Sequence, residues 1–162
     1  MNRYHSTVCL AVTALAVLFL ARPAAAGDQV QFHGQLQGDV IRFGAPPVVT
    51  VNVSGSGNAN QLGSFAVSIP HMVTVATRTA VGSYLFVAAN GDTLTGDFIG
   101  HSAPTADSTV LAIEETVRIT GGTGRFANAQ GGFVCQRLYD TVAGTTIGSF
   151  DGTISSPGAT KH

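Results

Sequence analysis

From Val30 onward, apolar and polar residues alternate over short stretches with a period of two. Val49, Val51 and Val53 are separated by Thr50 and Asn52, and Phe65, Val67 and Ile69 alternate with Ser64, Ala66 and Ser68. That period places one set of side chains on each face of a β-strand. The pattern predicts eight strands: 30–36, 48–54, 65–69, 84–89, 93–101, 110–120, 132–139 and 145–154. After Pro70 the chain is expected to bend and continue through Val73 and Val75. Gly55–Gly63 and Ala103–Ser108 read as polar loops, Asp140–Gly144 as a short connection, and Asn90-Gly91 as a hairpin turn whose residues tolerate positive φ. No window carries a 3.6-residue apolar period. The fold class is therefore all-β. Short connections imply one antiparallel sheet, and closing it into an eight-stranded barrel removes its edges. A two-sheet β-sandwich is the alternative.

Two strands depart from simple alternation. In 110–120, Leu111, Ile113, Val117 and Ile119 share a face with Glu115, while Glu114, Thr116, Arg118 and Thr120 form a polar face. A lone ion on an apolar face needs a partner or a shifted pKa. Arg137 is the natural partner, because Phe133, Cys135, Arg137 and Tyr139 form a similarly mixed face. These residues read either as a structural ion pair, with a bulge turning Glu115 outward as a variant, or as a polar spot in an apolar pocket. On the second reading Glu115, Arg137, Phe133 and Tyr139 are the candidate ligand-binding residues. The strand 84–89 is apolar on both faces, with Tyr84, Phe86 and Ala88 on one and Leu85, Val87 and Ala89 on the other. One face fills the core. The other needs a loop or a second copy over it, so a homo-oligomer through Tyr84 to Ala89 is expected.

Composition adds a compartment. Arg3 precedes a 13-residue run, Val8–Leu20, that is apolar apart from Thr13, and Ala24-Ala25-Ala26 follows. The run suits a secretory leader and is short for a membrane span. Cleavage is expected after Ala26, giving a single domain over 27–157, a loose tail over 158–162 and a secreted or periplasmic location. Cys9 leaves with the leader, so Cys135 stands alone and reads as a buried thiol in a strand. Six basic residues against nine acids remain, a net charge of −3, with no basic run of the kind that nucleic-acid binding needs.

Other chemistries lack their context. Gly122-Thr123-Gly124-Arg125-Phe126-Ala127 fits a GxGxxA pattern, but a turn and a strand follow it where a dinucleotide site needs a helix. His33, His71, His101 and His162 show no ligand spacing and read as surface or core histidines. No GxSxG motif is present. Neither a cofactor nor a metal is expected.

The segment Ile119 to Gly131, with Gly121-Gly122-Thr123-Gly124-Arg125-Phe126-Ala127-Asn128-Ala129-Gln130-Gly131, resembles the glycine turn of the allene oxide cyclase and dirigent barrels. The chain also resembles small exported bacterial proteins that share Ala89-Asn90-Gly91-Asp92-Thr93-Leu94-Thr95 with the same turn. The resemblance covers roughly 80–155. It implies an eight-stranded barrel with an interior cavity, often oligomeric, and a cofactor-free activity such as cyclisation. The cyclase's working carboxylate lies on an early strand, and 30–36 contains no acid. The expected function is a container for a small apolar or amphipathic molecule. A structural, envelope-associated barrel with a filled interior and a cyclase or isomerase using Glu115 are the alternatives.

Overall fold

A computed structural model describes residues 28–155 and 157 of the chain. The expected leader, its cleavage site and the tail over 158–162 lie outside the described residues. Eight strands follow in order: β1 Gln29–Phe43, β2 Val48–Ala59, β3 Gly63–Thr74, β4 Thr79–Ala88, β5 Thr93–Pro104, β6 Val110–Gly122, β7 Gly131–Asp140 and β8 Thr145–Ser155. Each pairs antiparallel with the next, and β8 pairs with β1, so the sheet is a closed barrel rather than a sandwich. The long β1 makes the closure: residues 29–39 pair with β8 and 34–43 with β2.

The period of two sorts the side chains. Phe32 and Leu36 of β1, Val49, Val51 and Val53 of β2, and Phe65, Val67 and Ile69 of β3 point inward and are buried. One half of the interior is filled by rings. Phe32, Tyr84, Phe86, Phe133 and Phe150 contact one another with centroids 5.0–6.0 Å apart, mostly tilted or edge-on, as aromatic quadrupoles favour.

Several strands are longer than their apolar pattern, β4 among them, which begins at Thr79. Gly55–Ala59, read as loop, extends β2 against β1 and β3, and the turn is confined to 60–62. Ala103 and Pro104 extend β5, and β1 runs on to Phe43. The reason is steric: a Cβ at Gly57 would lie 2.5 Å from the Phe65 ring and closer still to the Gln35 carbonyl. The glycine is required by the approach of two strands rather than by a turn. β3 passes through Pro70 without ending. Pro70 faces Asn52 on the β2 side, and on the β4 side the ladder skips from Ser68 to His71, where a residue without an N–H fits. In the 89–92 turn Gly91 alone of Asn90 and Gly91 takes a positive φ (87°), and Asp92 caps it by accepting from Asn90 Nδ2 at 2.9 Å.

The turn that fits GxGxxA is a three-residue 3₁₀ helix, Gly124–Phe126, without the helix a pyrophosphate would need. Phe126 is buried at this end of the barrel with Leu62, Ala129 and Ile154. Asp92 accepts the Arg125 backbone N–H at 3.2 Å, and Arg125 Nη2 donates to the Leu62 carbonyl at 3.0 Å, so the loops of this end are tied together.

Candidate functional site

The opposite end, where β1, β3, β5 and β7 finish, is built differently. Here the inward positions are Val40 and Arg42 of β1, His71 and Val73 of β3, Ile113 and Glu115 of β6, and Arg137 and Tyr139 of β7. They line a cavity of about 220 Å³ whose apolar walls are mainly valines, Leu111 and Ile113, and whose other lining residues include Arg42, Arg78, His101 and Ser102.

The polar floor is a buried ion pair. Glu115 and Arg137 are 1% and 3% exposed. Arg137 Nη2 donates to Glu115 Oε1 at 2.5 Å and Arg137 Nε to Oε2 at 3.1 Å, a forked, charge-assisted contact. The Tyr84 hydroxyl donates to Oε2 as well. Arg137 Nη1 reaches Thr146 Oγ1 at 3.3 Å, and Thr146 gives its proton to the Leu138 carbonyl at 2.9 Å. Glu115 is thus inward and paired, as the sequence pattern suggested; β6 holds its alternation there, and its ladder with β5 shifts only at Thr95/Gly96. Burial, and then the Glu115 charge, hold the Tyr84 phenol well above the ordinary tyrosine range, which keeps it a donor. Burial pushes the Cys135 thiol up to about 11, so it is a protonated core residue.

Glycines make this floor possible. The register sets Gly82 opposite His71, Gly96 opposite Tyr84, Gly100 opposite Glu115 and Gly148 opposite Arg137. A Cβ at Gly100 would lie 2.7 Å from Glu115 Cγ, and one at Gly148 2.5 Å from Arg137 Cγ. Each large polar side chain bends into the space its neighbour leaves.

Of the four residues expected in a ligand site, the fold brings Glu115, Arg137 and Tyr139 to the cavity. Phe133 is inward too, but it belongs to the aromatic cluster that fills the other half. Five polar residues at the cavity, Arg42, His71, Arg78, His101 and Ser102, were not among the expected site residues. His71 is 9% exposed; its Nδ1 lies 2.9 Å from the Ile69 carbonyl, and its ring meets Phe98 edge-on at 5.7 Å. Extending the alternation of Phe65, Val67 and Ile69 past Pro70 would have placed it. Extending β1 past Leu36 likewise puts Arg42 at the cavity mouth and turns the new acid, Asp39, outward to solvent. Among the described residues no set of three or more His, Cys, Asp or Glu side chains is arranged to hold a metal ion.

The architecture is an all-β, closed eight-stranded barrel with an aromatic-filled half and a pocketed half, and comparison of structures finds the same fold elsewhere. The chain is similar to the pterocarpan synthase dirigent protein GePTS1, with a TM-score of 0.55 and 15% identity, over 91% of this chain and 99% of that one. At that identity the likeness is one of fold. No family model matches the sequence, and no curated protein does.

Proposed function

We propose that this barrel is a binding module: an exported container that holds a small apolar or amphipathic molecule at the β6–β7 floor. The observation that carries the reading is the cavity of about 220 Å³, with apolar walls and a buried polar floor whose charges are already balanced. Small-molecule sites have that character, mostly apolar with a few placed polar groups. The aromatic cluster supports a filled, structural barrel for the other half alone. Glu115 as the acid/base of a cyclase or isomerase finds no support in the geometry, since both its oxygens already accept donors from Arg137 and Tyr84.

Native mass spectrometry of the chain purified gently from its own host tests the container. An extra mass released by denaturation, and absent from a folded Val51→Phe variant whose ring fills the cavity, is the expected result. A mass retained by that variant would place the cargo elsewhere. Export is part of the proposal, on the strength of the leader-like pattern in residues 1–26. Among the described residues no helix is long and apolar enough to cross a membrane. The homo-oligomer is carried over as a proposal for the outer face of β4, where Leu85 and Val87 keep more than a third of their surface exposed. Val81 there is flanked by Met72 and Ile99 on the neighbouring strands. A concentration-independent monomer mass by light scattering would remove it.

A further inference from the structure

We infer that His71 is the hydrogen-bond acceptor that recognises the molecule held in the cavity, and that this molecule is a compact apolar body carrying an O–H or N–H donor. The inference rests on the container reading above. A backbone carbonyl can only accept, so the contact of Nδ1 with the Ile69 carbonyl at 2.9 Å puts the ring proton on Nδ1. Nε2 is then left with a lone pair. It has no hydrogen-bond partner among the described residues, yet the fully buried side-chain nitrogen without a hydrogen bond among them is Arg125 Nε, which is ion-paired with Asp92 at the other end of the barrel. Nε2 therefore keeps accessible surface, and the space His71 lines is the cavity.

Its neighbours on the floor are already committed. Glu115 accepts from Arg137 and Tyr84, the Tyr84 proton goes to Glu115, and the Thr146 proton goes to the Leu138 carbonyl. Tyr139, Ser102 and His101 also line the cavity, and their hydroxyls and imidazole can each donate or accept, so they do not discriminate, while Arg42 and Arg78 can only donate. The groups around His71 are the Phe98 ring of β5, Gly82 of β4, and the charges of Glu115 on β6 and Arg137 on β7. Burial outweighs the Glu115 charge and lowers the His71 pKa, so the neutral, accepting form prevails near neutral pH.

The cavity volume, about 220 Å³, sets the size of the occupant. It exceeds the ~150 Å³ that accommodates benzene and falls short of the ~300 Å³ where drug-sized sites begin. An occupant without a donor would cover Nε2 and leave a buried acceptor unpaired. A site of that kind rejects the donor-less isostere.

Indole and indene are such a pair, alike in shape and differing by N–H against CH₂. Calorimetric titration of the full chain is expected to give indole roughly tenfold tighter binding than indene. In His71→Phe the ratio is expected to fall to about one. Equal affinities in the unaltered protein, or a preference that survives in His71→Phe, overturn the role of His71 and leave the container standing. Binding of neither compound overturns the container and this inference with it. The ¹⁵N resonance of His71 Nε2 gives an answer independent of any variant's folding. It is expected to shift with indole and stay in place with indene, and its failure to move with bound indole overturns the assignment.

Discussion

A carboxylate at 1% exposure persists at Glu115 because three donors converge on it, two from Arg137 and one from Tyr84. Desolvating both charges offsets much of their attraction, so such a pair contributes little net stability, while removing one partner strands the other. Glu115→Ala or Arg137→Ala is therefore expected to cost about 3–5 kcal/mol in urea denaturation, and the double change Glu115→Leu with Arg137→Met less than either. A double variant as unstable as the sum of the singles would contradict this. His71 carries a pH signature. Its folded pKa lies below the unfolded value near ~6.5 through burial, so the unfolded chain binds the proton first. The His71 contribution is fully present above that value and is lost as pH falls below it toward the folded pKa. Melting temperatures from pH 7.5 to 5.5 are expected to fall more for the unaltered protein than for His71→Phe, and parallel curves would contradict the assignment. The pairing of Glu115 with Arg137 was legible from the apolar face that each interrupts. The inward place of His71 was within reach of the alternation carried past Pro70 to Val73, but its acceptor role was not, because sequence does not show which ring nitrogen the fold leaves free.

Strands of this barrel are held together by residues that weaken strands elsewhere. Gly57, Gly100 and Gly148 sit mid-strand where a Cβ would meet a ring or a polar side chain. Alternation made all eight strands legible, yet the run Gly55–Ala59 read as a loop, since composition alone does not separate a glycine that turns the chain from one that lets two strands approach. The full length of β1, and with it Arg42 at the mouth, was hidden by the run Gln37-Gly38-Asp39, which carries no apolar residue. The prediction at this scale is steric. Gly148→Ala places a methyl against Arg137 and is expected to destabilise the fold by about 1–3 kcal/mol. Nothing lies within 4 Å of a Cβ at Gly63, but its φ of 69° gives Gly63→Ala a strain cost of about 1 kcal/mol. Denaturation midpoints that rank the two variants the other way would contradict the crowding account.

The molecule as a whole divides along its axis. One end is closed by Phe126 and the tied loops around Asp92 and Arg125, the middle is filled by phenylalanines, and the other end keeps a cavity over a charged but balanced floor. Closure of the sheet was legible from eight strands with short connections. Which half stays open was not, because it depends on how far the aromatic rings of four strands reach across the axis. The most direct test of a container at this end is a methyl NMR titration of the whole chain with indole. Saturable shifts are expected in the cavity methyls of Val51, Val53, Val73, Leu111 and Ile113, while the outward Ile99 and Ile147 stay in place. No saturable shift at the cavity, or shifts confined to the outer face, would contradict the account.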